Sequence, residues 1–307
     1  MRQPGRDLVE FEANRPRLLG LAYRMLGSLA DAEDAVQDTF VKWQMAETGG
    51  IRNPEAWLTS VCTNRCLDLL KSAHKKRVDY VGPWIPEPLH IELDQSPETD
   101  LERAQSLTIA FLSLMERLSP KERAAYLLHE VFGKAYDDVA GTLETSESAA
   151  RQLVSRARKH LASPVSRFVP SKAHQTETLK AFLAALETGS TSRLEGLLAE
   201  NVRFQTDGGG KATALRRIIT GSEPVGKYVA RILGRLWSHA CLKPYEINGI
   251  HGLIVHDGRD ILTAMTLGYD ADGHIDQIYN IRNPDKLRML TATVHHDARS
   301  GALRLDA

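Results

Sequence analysis

Apolar residues recur at helical spacing through the first half of the chain and alternate with polar ones only toward its end. Leu8, Phe11, Leu18, Leu19, Ala22, Met25 and Leu26 follow a helical period, which Pro16 is expected to interrupt or restart. Ala32, Ala35, Val36, Thr39, Phe40 and Trp43 give the next helix one apolar stripe. Ser28 caps it, and Asp31, Glu33 and Asp34 fill its first turn, where carboxylates suit the helix dipole. Asn53-Pro54-Glu55 is a further start signal, with Asn as cap and Pro at the first helical position. Trp57, Leu58, Val61, Leu69 and Leu70 carry that helix into a basic end running from Lys71 to Arg77.

Residues 78–100 hold Pro83, Pro86, Pro88 and Pro97, a linker composition. Helices then resume. Leu107, Phe111, Leu114, Met115 and Leu118 form one stripe, and Ser119-Pro120-Lys121-Glu122 is a capping box. A helix through Tyr126 and Phe132 ends at Gly133. A short helix around Val139, a turn at Glu144-Thr145-Ser146 and a longer helix from Glu147 to Leu161 come next. Past Pro170, Leu179 to Leu186 and Leu194 to Leu198 mark two helices, Val202 to Thr206 a strand, and Ser222 to Trp237 a helix. Strand-like runs then cover 241–247, 252–256, 260–269 and 274–281, with hairpin turns at Asp257-Gly258 and Asp272-Gly273. Two all-α segments are therefore succeeded by an α+β segment.

Composition narrows the class. With 307 residues, 42% hydrophobic and 25% charged, the chain is globular and holds two or three domains. It has no apolar run long enough for a membrane span and no apolar signal core behind Met1, so no membrane association is expected. Three cysteines argue against a disulfide framework and fit a reducing cytoplasm. The zero net charge is unevenly spread: residues 81–102 carry six acids and no Lys or Arg, while the segments on either side are mildly basic.

Ala135 to Leu161 has the parts of a helix–turn–helix. Its second helix is cationic, and residues 148–167 contain no acid. Used on DNA, it would set Ser148, Arg151, Gln152 and Ser155 at base edges, and Arg156, Arg158 and Lys159 near phosphates; a solvated basic face is the plainer alternative. Asn64, Arg65 and the basic cluster from Lys71 could track a backbone, although Trp43 and Trp57 sit at core spacing. No metal site is expected. His251 and His256 are an odd number of strand positions apart, and Cys62 and Cys66 have no partner pair.

Three strings in order carry a family resemblance. Gly27 to Phe40 resembles the polymerase-clamp-binding helix of bacterial sigma factors. Ala56-Trp57-Leu58 with Asn64 and Asp68-Leu69-Leu70-Lys71 resembles their promoter-melting helix. Leu118 to Arg123, Asp137 to Ala140 and Ser155 to Arg158 resemble their second DNA-binding domain. The chain is similar to extracytoplasmic-function sigma factors of the group with a fused SnoaL-like domain. That group is suggested by Trp84-Ile85-Pro86-Glu87-Pro88, Asp207-Gly208-Gly209-Gly210-Lys211 and Asn283-Pro284-Asp285-Lys286-Leu287, with Ile85 where Leu is expected.

The resemblance implies two all-α sigma domains, 1–80 and 101–165, joined by an acidic linker, 81–100. A cone-shaped α+β domain, 172–290, and a disordered tail, 291–307, complete the layout. It implies that Asp31, Asp34, Gln37 and Asp38 meet core RNA polymerase. Asn64, Arg65, Asp68 and Lys71 would lie by an opened downstream promoter element. Ser148, Arg151, Gln152 and Ser155 would read an upstream duplex element, with Arg156, Arg158 and Lys159 beside them.

The linker string is expected to dock on Asp207 to Lys211 and Asn283 to Leu287, with Lys211 and Lys286 meeting linker acids such as Glu87. That docking would regulate the factor in cis, with no separate anti-sigma factor, no cofactor and no catalytic residue. Two alternatives remain at this stage: a third domain that is a working enzyme with Asp207 as its acid, and a helix–turn–helix repressor with a ligand sensor.

Overall fold

The computed structural model describes residues 4–47, 50–78, 80–90, 105–161 and 168–291. The tail and much of the acidic linker lie outside them. Two compact units form, the first from residues 1–79, 92–106 and 112–163, the second from 80–91, 107–111 and 164–307.

The first unit is helical. Helices α1 (Pro4–Leu26), α2 (Leu29–Met45) and α3 (Pro54–Val78) pack together around Phe11, Leu18, Ala22, Met25, Ala32, Val36, Trp43, Leu58 and Cys62. Local signals start them: Ser28 Oγ accepts from Asp31 N–H, and Asn53 Oδ1 from Ala56 N–H. Helix α1 does not break at Pro16 but runs through it. Buried Leu18, Leu21, Ala22 and Met25 just beyond hold the helix against its neighbours, and that packing outweighs the missing Pro16 N–H.

Helix α4 (Ile109–Met115) starts in residues of the second unit and ends in the first; the later helices of the first unit are α5 (Pro120–Tyr126), α6 (Tyr136–Thr142) and α7 (Glu147–Leu161). The Ser119–Glu122 capping box starts α5, and a widened π-turn over Leu127–Val131 extends it. Buried arginines tie the later helices to the first three. Arg123 Nη1 donates to Met25 O at 2.6 Å and to Glu116 at 2.8 Å. Arg24 Nε donates to Ser106 Oγ at 2.8 Å, with its guanidinium 5.5 Å from the Phe132 ring centre. Lys134 reaches Glu55, and the Ser60 and Thr142 hydroxyls meet at 3.0 Å.

The second unit is α+β. Helices α8 (Lys172–Thr188) and α9 (Thr191–Glu195) precede a six-stranded sheet of order β2-β1-β6-β5-β4-β3. Its strands are β1 (Leu198–Asp207), β2 (Ile219–Thr220), β3 (Cys241–Ile247), β4 (Ile250–His256), β5 (Ile261–Tyr269) and β6 (Ile275–Ile281). Leu198, read from sequence as helical, opens β1 instead, because it pairs with Ile275 at the start of β6. All pairs are antiparallel except β1 with β6.

One sheet face packs on α8, α9 and α10 (Ser222–Tyr228) around Phe182, Phe204, Val229, Leu253 and Ile278. The other face is also covered. Tyr245, Ile247, Ile254, Tyr279 and Ile281 pack on Ile85 and Ile109, and on Leu287 and Leu290 of α11 (residues 284–291). Two covered faces explain why β4, β5 and β6 read as nearly continuous apolar runs.

Pro16 is exposed and leaves the Glu12 carbonyl without its helical donor. Pro16→Ala is expected to stabilise the first unit by about 1–3 kcal/mol, read as a raised urea midpoint. An unchanged midpoint would show that α1 already compensates the missing bond.

Candidate nucleic-acid interface and linker socket

Helices α2 and α3 present the first set of expected site residues. Asp31, Asp34 and Gln37 are exposed, while Ala32, Ala35 and Val36 beneath them are buried. Asp38 is half-buried and accepts from Arg65 Nε at 2.6 Å, so α2 and α3 share an ion pair. Asn64 is half-buried. Asp68 and Lys71 are exposed and paired at 2.9 Å. Trp43 is buried, its ring centre 5.4 Å from that of Trp57, and serves the core rather than a stacking platform.

The helix–turn–helix is built by α6 and α7. Glu144 takes a left-handed conformation in the turn, and Ser146 Oγ caps α7 through Ala149 N–H. Ala150, Leu153, Val154, Ala157 and Leu161 bury one face of α7. Ser148, Arg151, Gln152, Ser155, Arg156, Arg158 and Lys159 are exposed on the rest.

The arginines are already engaged. Arg151 pairs with Glu147 and lies 4.2 Å over the Tyr136 ring; Arg156 pairs with Glu122, and Arg158 with Glu130. The Arg151 and Arg158 pairs lie at the surface, where such pairs contribute about 0–1 kcal/mol each and yield to a phosphate at little cost, whereas the Glu122 partner of Arg156 is buried.

The second unit contains a socket centred on Asp207, at the end of β1 and 0% exposed. Its Oδ1 accepts from Tyr80 Oη at 2.6 Å and from Gly209 N–H at 3.0 Å. Its Oδ2 accepts from Ile85 N–H at 2.9 Å and from Lys286 Nζ at 2.7 Å. Lys286 also donates to Ile85 O, and its ammonium lies 4.1 Å from the Trp84 ring centre and 5.3 Å from that of Tyr80. Asn283 Nδ2 donates to Tyr80 Oη at 2.9 Å. Burial first, then the hydrogen bond to Asp207, pushes the Tyr80 phenol far above its ordinary range.

The glycines after Asp207 are dictated by close approach. A Cβ on Gly208 would lie 2.3 Å from Ala212 O, and one on Gly209 would lie 2.3 Å from Asn283 Nδ2, at a φ of +59°. Gly210 lies against Val81. Pro86, Glu87 and Pro88 are buried, as is Leu287 in the core beneath Ile85. Pro284 starts α11. Lys286 pairs with Asp207, and Lys211 with Asp285, whose carboxyl it holds below the ordinary range.

Tyr80 was missed in the sequence. The signal available was an aromatic residue four positions ahead of Trp84, in a stretch otherwise rich in acid and proline.

Removing one partner of a buried ion pair strands the other charge, at about 3–5 kcal/mol. Lys286→Met should lower the stability of the second unit by that order in urea denaturation. Asp207→Asn added to it should recover part of the loss, because the stranded carboxylate is then gone. A double variant no more stable than Lys286→Met would show that the two groups are not coupled.

Comparison with known proteins places these elements. Residues 11–76 match the Sigma-70 region 2 family and residues 108–161 match Sigma-70, region 4. The ECF RNA polymerase sigma factor SigJ of Mycobacterium tuberculosis is 35% identical over 300 residues, covering 91% of this chain and 93% of that protein. The probable ECF sigma factor SigI of the same organism is 29% identical over 288 residues, covering 92% and 95%. The crystal structure of SigJ superposes with a TM-score of 0.71 at 33% identity, over 91% of this chain and 98% of that one. These matches run through the second unit as well as the first. The chain belongs to the extracytoplasmic-function RNA polymerase sigma factors, which direct RNA polymerase to promoters, and it carries a SnoaL-like α+β domain behind its two helical segments.

Proposed function

We propose that the C-terminal domain regulates this sigma factor in cis by holding the linker between its two DNA-binding segments. One observation carries the reading: the buried Asp207 carboxylate is taken up by the linker's Tyr80 hydroxyl and Ile85 amide, together with Lys286 and Gly209. A carboxylate offers about four acceptor sites, and four donors fill them. Asp207 has no site left for a substrate proton, so the domain works through it as a binding module and not as an enzyme.

In this reading Asp31, Asp34, Gln37 and Asp38 face core polymerase. Asn64, Arg65, Asp68 and Lys71 lie by the opened downstream element. Ser148, Arg151, Gln152 and Ser155 read the upstream element, and Arg156, Arg158 and Lys159 grip phosphates. Polymerase supplies the chemistry, in the cytoplasm. A tethered domain acts at an effective concentration of up to about millimolar, so no separate anti-sigma factor is required.

Run-off transcription with core polymerase tests the regulation. Chains ending at Val165 and at Arg282, the second lacking only α11, the residue before it and the tail, are both expected to change promoter output at equal protein level. If both transcribe like the full chain, regulation in cis is wrong. Asp34→Lys is expected to abolish capture by core polymerase while the chain stays folded, since like charges set face to face cost several kcal/mol. Undiminished capture would remove α2 from the polymerase contact.

A further inference from the structure

We infer that Asn248 is the clasp that fastens the chain at both Leu89 and Leu107 to the C-terminal domain, and so holds the linker docked on it. The inference rests on the regulatory reading above and names the residue through which it acts.

Asn248 and Gly249 form the two-residue turn between β3 and β4, with φ of +51° and +77°. That left-handed pair suits a tight hairpin, and Asn is among the few side chains that tolerate it. The turn explains an Asn or a Gly at this position. It does not explain what the side chain does.

Asn248 is 7% exposed, and its groups are spent on the linker. Its backbone N–H donates to Leu89 O at 2.8 Å, and its Oδ1 accepts from Leu89 N–H at 2.8 Å. Its Nδ2 donates to Leu107 O at 2.8 Å. One amide therefore holds the chain where it leaves, at Leu89, and where it returns, at Leu107. Both tasks need an acceptor and a donor on one short side chain, which a carboxamide has and a carboxylate lacks. The neighbouring contacts agree. His90 Nδ1 meets Glu246 O at 2.9 Å, and its ring centre lies 4.2 Å from that of Tyr245. Ile85 and Ile109, on either side of the excursion, share one apolar core with Ile247.

Leu89 and Leu107 lie on either side of the acidic stretch in sequence, and Asn248 holds both to the β3–β4 turn.

The test uses the full-length chain. Asn248→Gly keeps the turn, because glycine accepts the same φ, and removes both side-chain bonds. Hydrogen exchange at the Leu89 amide should quicken by about tenfold, while the Ile254 and Ile278 amides of the sheet stay protected and run-off output rises several-fold. Unchanged exchange at Leu89 overturns the clasp. Faster exchange with unchanged output overturns its control of transcription. If the Val165 and Arg282 truncations still alter output, only the clasp falls; if they are silent too, the regulatory reading falls with it. Should glycine loosen the sheet amides as well, Asn248→Asp decides. It keeps the turn and the Leu89 bond but loses the donor to Leu107, and output must still rise.

Discussion

A carboxylate removed entirely from water has to be neutralised and hydrogen-bonded, and in this protein the groups that do so for Asp207 come from three separate stretches of chain. Lys286 supplies the counter-charge, Gly209 a local amide, and the linker a hydroxyl from Tyr80 and an amide from Ile85. Desolvating a lone charge costs several kcal/mol, and removing any one donor exposes that cost. The arrangement is therefore close to all-or-none. The linker sits in its socket with Asp207 satisfied, or it leaves and water must enter. The tight glycine turn, the Asn283 bond to Tyr80 and the rings of Trp84 and Tyr80 around the Lys286 ammonium all serve that single requirement.

A comparable logic operates in the helical unit. Arg24 and Arg123 are 1% and 3% exposed, and each bonds one group that lies far from it in sequence, Ser106 and Met25 respectively. Arg123 completes the end of α1 by bonding the Met25 carbonyl, one of the acceptors a helix leaves without a partner. These buried contacts tie α1 to α5 and to Ser106 within one compact unit. The surface proposed to touch DNA is made differently. Arg151 and Arg158 of α7 rest in surface pairs with Glu147 and Glu130. A firm interior and exchangeable surface pairs suit a protein that must keep its fold while trading intramolecular carboxylates for phosphates.

The features legible in the bare chain are local ones. Ser28, Asn53 and Ser119 announced three helix starts, because a cap bonds an amide only three residues away. The short helix, turn and long helix of the helix–turn–helix, and the four last strands, were readable from period and turn residues. The order of the family motifs along the chain was enough to place it among the sigma factors.

Folding settled what no window of a dozen residues contains. Helix α1 runs through Pro16 because packing beyond the proline outweighs the lost bond. Leu198 joins a strand because β1 pairs in parallel with β6, a partner far along the chain. Lys286 pairs with Asp207, 79 residues away, and Tyr80 found Asn283 across 203. Asn248, in the turn between β3 and β4, also ties Leu89 and Leu107 to it. Caps and periods depend on near neighbours, so they are written in the sequence. The pairing of a buried charge depends on which donors the fold brings within 3 Å of it, as Lys286 is brought to Asp207 at 2.7 Å, and only the assembled domain fixes that.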